Sequence, residues 1–170
     1  MEKSRLIFQA PNERNYHILY QLCVGADSNL KQELGLLPPH QFFYLNQGNC
    51  VTIDEQGFDE VKDFVRLQKS FEILGFSQQE VKGIFRLLAG FLHLGNIQFE
   101  SSAGKLGKMD ANVKVKNPAQ LKLLANLLGT TELMLTLSLT FKRLDTRKGG
   151  QKQFSSFLYI FYIQYLFLIF

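Results

Sequence analysis

The sequence has few of the residues that usually build reactive or metal-binding sites. Its 170 residues include two cysteines, three histidines and no tryptophan. Two cysteines, Cys23 and Cys50, are too few for a disulfide framework, and no CxxC pair indicates zinc. Neither has a basic neighbour in sequence that would favour a thiolate, so we predict that both are unreactive. Reduced thiols of this kind fit a cytoplasmic protein.

The motifs that bind nucleotides or metals are also missing. There is no GxxxxGK[ST] segment to wrap phosphates, no GxGxxG fingerprint and no HExxH pair. A small acidic group consists of Asp54, Glu55, Asp59 and Glu60. It lacks the ligand spacing of a calcium loop, and acidic residues at the start of a helix explain it better.

The histidines are far apart in the sequence, at His17, His40 and His93. Two of them, His17 and His93, lie in apolar segments with helical periodicity. A histidine in that setting is more often a hydrogen-bonded core or interface residue than a metal ligand. We therefore predict no catalytic, cofactor-binding or metal-binding residue in this sequence.

The charge pattern excludes a strongly basic or acidic protein, because the net charge is only +4. The densest basic cluster consists of Lys142, Arg143, Arg147, Lys148 and Lys152, with Asp145 among them. Such a cluster could meet a phosphate or an acidic surface, but a solvated surface loop is the commoner meaning. The first residues lack the apolar core of a signal peptide.

The hydrophobic pattern predicts a mainly α-helical fold with a few short strands. Helices are expected over 13–26, 28–35, 59–74, 77–95 and 117–129, and from Thr130 or Thr131 onward. Strands are expected over 5–10, 96–101 and 112–116, and residues 42–53 are expected to be extended or irregular. Asn12, Ser77 and Asn117 are the predicted helix caps, and Glu80 completes a capping box with Ser77. The last helix places Leu133, Met134 and Leu137 on one side.

The composition changes near residue 150, where we predict a boundary between residues 1–150 and a hydrophobic tail, 151–170. Residues 154–170 contain no charged residue. Seventeen residues of helix span about 26 Å, at the lower limit for crossing a bilayer core of about 30 Å. The many aromatic residues are unusual for a lipid-facing segment, so translated non-coding sequence is the preferred interpretation of 153–170.

Five segments in order resemble the motor domain of myosin. They are "EKSRLIFQAPNERNYHILYQLCVGA" (2–26), "FFYLNQGNC" (42–50), "FDEVKDF" (58–64), "ILGFSQQE" (73–80) and "FRLLAGFLHLGNIQF" (85–99). Residues 117–149 resemble the same family more weakly. The resemblance implies an incomplete piece of an α/β motor related to P-loop NTPases, from the upper half of its central segment.

The resemblance also implies a function for the parent protein. A myosin heavy chain is an actin-activated ATPase that uses ATP and magnesium to move on actin filaments, in the cytoplasm and actin cytoskeleton. Its P-loop, "NSSRFGK" switch-one and "DIxGFE" switch-two elements do not occur in this sequence. Switch one would lie just before Glu2. The expected partners are actin and the remainder of the motor domain, with neither nucleic acid nor membrane among them.

Two hypotheses follow from these observations. In the first, the chain is a fragment of a myosin motor that is inactive alone and marginally stable, with Glu2 to Gln9 as an unpaired strand. In the second, it is a short helical interaction protein that its apolar C-terminal tail anchors to a membrane.

Overall fold

The computed structural model describes residues 4–51, 58–101, 113–140, 142–145 and 151–154. It divides into two compact units, Met1–Asn96 and Ile97–Phe170. The described residues are mainly helical, and their strands pair in two antiparallel two-stranded sheets. This confirms the predicted mainly α-helical fold with a few short strands.

The first unit contains six α-helices and one short 3-10 helix among its described residues. The α-helices are α1 (Ser4–Ile7), α2 (His17–Gly25), α3 (Ser28–Leu34), α4 (Phe43–Asn46), α5 (Glu60–Ile73) and α6 (Gln78–Gly95), and the 3-10 helix is Pro39–Gln41. Helices α2, α4 and α6 share a core of buried side chains, namely Leu19, Tyr20, Cys23, Phe42, Tyr44, Leu45, Phe91 and Leu92. Burial of this apolar surface is the main force that holds the unit together.

The start of α6 follows the sequence prediction closely. The Ser77 hydroxyl accepts a hydrogen bond from the Glu80 backbone N–H, and the Glu80 carboxylate accepts one from the Ser77 N–H at 2.8 Å. These two bonds form the predicted capping box and satisfy two backbone donors that a helix start leaves free. At the other end, α6 stops at Gly95, as predicted.

The start of the chain differs from the prediction. Residues 5–10 were expected to form a strand, but Ser4–Ile7 form one turn of helix instead. The Phe8 N–H bonds the Ser4 carbonyl at 3.1 Å, and the Gln9 side-chain amide donates to the Arg5 carbonyl at 2.6 Å. A strand needs a neighbouring strand for its hydrogen bonds, whereas this helical turn satisfies its backbone locally.

The predicted cap at Asn12 is also wrong. Asn12 has a φ of 66° and its N–H donates to the Gly48 carbonyl at 2.7 Å, so it belongs to a turn. Helix α2 begins only at His17, and Asn15 before it forms tertiary hydrogen bonds to the carbonyls of Leu6 and Tyr44. Residues 42–53 were expected to be extended or irregular, but Phe43–Asn46 form α4, whose inward side chains join the core.

The second unit has two helices and four strands among its described residues. They are β1 (Phe99–Ser101), β2 (Val113–Val115), α7 (Pro118–Leu127), α8 (Glu132–Thr140), β3 (Lys142–Asp145) and β4 (Gln151–Phe154). β1 and β2 pair antiparallel and place Glu100 opposite Lys114, a favourable cross-strand charge pair. β1, β2 and α7 confirm the corresponding sequence predictions.

Two predictions within this unit need correction. Asn117 precedes α7, yet its side chain does not cap the helix; its oxygen accepts a hydrogen bond from the Gln98 N–H at 2.9 Å. On α8, the predicted apolar side of Leu133, Met134 and Leu137 is exposed. The buried side consists of Leu135, Leu139 and Thr140, because almost every position of this helix is apolar or small and its pattern selects no face.

The basic cluster lies partly on a β-hairpin. Lys142 and Arg143 are in β3 and Lys152 is in β4, with Leu144 paired to Lys152 in the register. These positions are therefore strands rather than the loop that the sequence suggested. Arg147 and Lys148 lie outside the described residues, as do residues 155–170 of the predicted tail. The predicted boundary at residue 150 remains a prediction.

Candidate functional site

The two segments that carried the resemblance most strongly meet in the first unit. "ERNYHILY" (13–20) leads into α2, and "FLHLGN" (91–96) ends α6. Polar side chains from both segments bond to backbone groups of residues 34–45, which connect α3 to α4. We call Asn15, Tyr20, His93 and Asn96, together with their bonds to residues 34–45, the central clamp.

Asn15 is the most connected polar residue of the central clamp. It is 3% exposed, and its side-chain amide donates to the carbonyls of Leu6 and Tyr44, at 2.8 Å each. Its side-chain oxygen accepts a hydrogen bond from the Tyr16 N–H at 2.8 Å. One buried amide thus joins α1 to α4 and fixes the approach to α2, and its polar atoms are paired as burial requires.

Tyr20 adds a second bond to the same region. Its hydroxyl accepts a hydrogen bond from the Asn15 N–H and donates to the Leu45 carbonyl, both at 3.1 Å. Burial is the largest influence on the Tyr20 hydroxyl and raises its pKa above the ordinary value near 10. The hydroxyl therefore stays protonated and keeps donating to Leu45.

Arg14 connects the same segment to α5. Its guanidinium lies 3.9 Å from the centre of the Tyr20 ring and donates to the Glu60 carboxylate at 2.5 Å and to the Val51 carbonyl at 3.2 Å. The two charged side chains are 8% and 15% exposed. Within the part of the chain that the structure describes, Arg14 Nε and Nη1 and Glu60 Oε2 have no hydrogen-bond partner. The ion pair is therefore buried and incompletely satisfied.

His93 connects α6 to the end of α3. The residue is 1% exposed, its Nε2 lies 2.9 Å from the Leu34 carbonyl, and its ring and the Phe42 ring meet edge to face with centroids 5.3 Å apart. Leu34 is the last residue of α3, and Gly35 follows with a φ of 62°. A helix leaves its final carbonyls without internal partners, and His93 satisfies one of them. This confirms the predicted core role of His93.

Gly95 and Asn96 complete the contact of α6 with residues 41–44. The Asn96 side chain donates to the Gln41 carbonyl at 2.8 Å and accepts from the Phe43 N–H at 2.9 Å. A Cβ on Gly95 would lie 2.6 Å from the Tyr44 ring, closer than real side chains approach. The ring of Tyr44 also stacks on Phe91, with centroids 4.8 Å apart.

The other candidate residues from the sequence do not converge on a site. His17 and His40 are exposed, and the His17 ring lies 5.4 Å from Phe58. Cys23 is buried, and burial raises the pKa of its thiol to about 12, which agrees with an unreactive cysteine. Cys50 is half-buried.

Of the predicted acidic group, Asp59 lies at the start of α5 and accepts bonds from the N–H groups of Val61 and Lys62. Its neighbour Glu60 pairs with Arg14. Both belong to the beginning of a helix, as predicted, while Asp54 and Glu55 lie outside the described residues. Across the described ranges, no three histidine, cysteine or acidic residues are grouped to hold a metal ion.

The geometry of the central clamp suits a structural task. Its side chains donate to and accept from backbone groups. The roles of Arg14, Asn15 and Asn96 were not predicted, although the "ERN" and "LGN" triplets within the resembling segments marked their positions.

No single helix among the described residues is long and apolar enough to cross a membrane. Helices α7 and α8 have sufficient apolar length only as a pair, and the chain bends by 108° between them.

The sequence matches the family model described as myosin head (motor domain) over residues 1–158. The chain belongs to this family, and it is part of a myosin motor.

Individual relatives agree with the family match. The chain is 37% identical over 152 residues to myosin IC heavy chain of Dictyostelium discoideum, which covers 89% of this chain and 12% of the relative. It is 39% identical over 149 residues to human unconventional myosin-XV, covering 87% and 4% respectively. Unconventional myosin-VI of Mus musculus is 34% identical over 176 aligned positions, covering 89% and 14%. The chain thus spans only a small part of the length of the curated relatives it matches.

Proposed function

We propose that this chain is a structural piece of an actin-based motor that hydrolyses ATP, and that it acts only together with the remainder of a myosin motor domain. The match to the myosin head family over residues 1–158 is the observation that carries this proposal. The conformation of the resembling segments supports it, because their polar side chains are committed to internal bonds rather than to a catalytic centre.

The contribution of this piece is to hold five helical elements as one body. The central clamp connects α1, α2, α3, α4 and α6 through the bonds of Asn15, Tyr20, His93 and Asn96. A motor passes force through its elements, and a body fixed by directional hydrogen bonds deforms less than one held by apolar contacts alone.

ATP and magnesium are proposed to bind in other parts of the motor. The P-loop and the two switch segments that supply phosphate and magnesium ligands in this family do not occur in the present sequence. The actin filament is the proposed partner, and the actin cytoskeleton of the cytoplasm is the proposed location.

A segment exchange tests the proposal. Residues 4–140 of this chain replace the matching segment of Dictyostelium myosin IC heavy chain, to which they are similar, and the chimaera is assayed for ATPase activity with and without actin filaments. We expect actin-activated hydrolysis from the chimaera and none from the purified 170-residue chain. A variant chimaera with Asn15→Leu removes the central amide and should lose most activity together with thermal stability.

Two results would contradict the proposal. A chimaera that folds, as judged by its melting temperature, but shows no actin activation would mean that this chain cannot serve as a motor segment. ATP hydrolysis by the isolated 170-residue chain would mean that it carries its own catalytic site.

A further inference from the structure

We propose that copies of this chain associate corner to face, through two exposed apolar surfaces whose surrounding charges have opposite signs. The first surface, which we call the apolar corner, lies between α5 and α6 and consists of Ile73, Leu74 and Phe76. The second, which we call the apolar α8 face, consists of Leu133, Met134 and Leu137. The inference concerns the 170-residue chain and does not depend on the proposed motor function.

Backbone hydrogen bonds hold the apolar corner, where α5 ends at Ile73 and Gly75 follows in the left-handed conformation with a φ of 80°. The Gly75 N–H donates to the Glu72 carbonyl at 3.1 Å. The Phe76 N–H donates to the Phe71 carbonyl at 3.0 Å, and the rings of these two residues meet edge to face with centroids 5.3 Å apart. The two backbone bonds form a Schellman turn. The corner therefore has little conformational freedom to lose when a partner covers it.

The apolar α8 face lies on a helix that needs few contacts with water. Residues 133–140 contain no charged residue. The hydroxyls of Thr136 and Ser138 each donate to the carbonyl four residues earlier, so their hydrogen-bonding capacity is met within the helix. An apolar partner can therefore cover this face and remove its leucine and methionine side chains from water without leaving a buried donor unsatisfied.

Acidic side chains surround the apolar corner. Glu72 precedes Ile73, Glu80 lies in the first turn of α6, and both carboxylates are exposed. Hydrogen bonds from Ser77 lower the pKa of Glu80, which therefore stays ionised at neutral pH. The basic residue of this stretch is Lys69, one helical turn before Glu72. The first unit as a whole has nine basic and eleven acidic residues in the sequence, a net charge of −2.

Basic side chains surround the apolar α8 face. Helix α8 packs against β2 and α7, on which Lys114 and Lys122 are exposed, and the exposed Lys116 directly follows β2. The acidic residues nearby are Glu132, at the start of α8, and Glu100, which lies opposite Lys114. The second unit as a whole has ten basic and four acidic residues in the sequence, a net charge of +6. Such surroundings attract an acidic surface.

These charges select which surfaces pair. Two apolar corners brought together would place carboxylates against carboxylates, and two α8 faces would place lysines against lysines. A corner of one copy on the α8 face of another copy instead brings opposite charges together around the apolar contact. Each copy in such a pair keeps one surface uncovered. The association is therefore heterologous and continues beyond the dimer, into rings or open chains.

Mixing two variants of the 170-residue chain tests the proposal by sedimentation velocity. The corner variant carries Ile73→Gln and Leu74→Gln, and the face variant carries Leu133→Gln, Met134→Gln and Leu137→Gln. We expect each variant alone to stay monomeric at a concentration at which the wild type forms oligomers. An equimolar mixture should form a dimer that does not grow further, because it again offers one intact corner and one intact α8 face.

Two further measurements accompany the mixture. The variant Val61→Gln, Val65→Gln removes two exposed valines of α5 outside both surfaces and should associate as the wild type does. Raising the salt concentration from about 50 mM to about 500 mM should shift the wild type toward monomer, because salt screens the attraction between the acidic corner and the basic α8 face. Circular dichroism shows whether each variant keeps the helix content of the wild type. If the face variant does not, Leu133→Gln alone replaces it.

The proposal is wrong if the corner variant alone associates as the wild type does, since α8 faces would then pair with each other. Association of the face variant alone would exclude it in the same way, because only corners would be left to pair. A mixture that stays monomeric would show that a corner and an α8 face do not bind each other. A wild-type chain that stays monomeric would leave neither surface with a partner, and this also overturns the proposal.

Discussion

Burying the charge of Arg14 costs free energy, yet removing that charge alone is expected to destabilise the fold. Its charge is buried with Glu60, and the pair leaves three polar atoms unsatisfied among the described residues. If one partner is removed, the other charge remains in the interior without a counter-charge. If both are removed, the cost of taking the two charges out of water is removed as well. The arrangement therefore predicts a strongly non-additive response to substitution.

We expect Arg14→Met alone to cost about 3–5 kcal/mol of unfolding free energy, because Glu60 is left buried without a counter-charge. The double variant Arg14→Met, Glu60→Met should recover most of this loss. Pulse proteolysis in urea at low protein concentration measures both. The matched control is the exposed pair of Arg66 and Asp63, where Arg66→Ala should cost only about 0.5 kcal/mol. Equal costs for the single and double variants at Arg14 would contradict the buried-pair argument.

Asn15 and Asn96 could not be predicted from sequence as the centre of the fold. An asparagine usually marks a turn or a helix cap, and Asn12 was assigned on that basis. Asn15 instead bonds to Tyr44, 29 residues away, and Asn96 bonds to Gln41, 55 residues away. Local pattern carries no information about such long-range partners, so only the resemblance of the surrounding segments indicated that these positions matter.

Among the helices, the sequence predicts the limits of α6 to within one residue. Its capping box is formed by residues three apart, and local chemistry alone specifies it. The hydrogen bonds from the Ser77 hydroxyl and backbone lower the pKa of Glu80, so the cap depends on the ionised carboxylate and weakens in acid.

We expect Ser77→Ala to destabilise the chain by about 1 kcal/mol, because the Glu80 backbone N–H loses its acceptor. Ser77→Asp retains an acceptor and should cost much less. Helix content measured by circular dichroism during urea unfolding distinguishes the two. An effect of Ser77→Ala no larger than that of Ser70→Ala, an exposed serine in the last turn of α5, would show that the capping box contributes nothing.

Helix α8 is the opposite case, because its sequence does not predict which side is buried. Its nine residues include four leucines and one methionine, so apolar periodicity cannot select the buried side. The hydroxyls of Thr136, Ser138 and Thr140 each donate to the carbonyl four residues earlier, which leaves them with little need for water. Only the packing of the second unit shows that Leu135 and Leu139 are the buried positions of α8.

At the scale of the whole molecule, exposed apolar side chains stand out. Leu133, Met134 and Leu137 are 67%, 59% and 41% exposed, and in the first unit Ile73 and Leu74 are 85% and 71% exposed. Apolar groups on such surfaces favour association. These surfaces lead us to expect that the isolated chain, which the sequence predicts to be marginally stable, also associates with itself.

We expect the purified chain to form oligomers at micromolar concentration in sedimentation velocity measurements. Replacing Leu133, Met134 and Leu137 by glutamine should shift the distribution toward monomer without loss of helix content, since these side chains bury little surface in the unit. The buried Leu135→Gln provides the contrast and should unfold α8. A wild-type chain that stays monomeric and melts in one sharp cooperative transition would refute the prediction.

The long span of the bonds in the central clamp has a consequence for how the chain is made. His93 and Asn96 form hydrogen bonds to residues that lie 59 and 55 positions earlier in the chain. Arg14 pairs with Glu60, which lies 46 positions later. On a ribosome, Leu34, Gln41 and Phe43 emerge well before His93 and Asn96, which bind their backbone groups. The carbonyls of Leu34 and Gln41 therefore remain accessible to molecular chaperones until residue 96 has left the exit tunnel. The family motif near residue 93 thus sets the earliest moment at which the first unit can close.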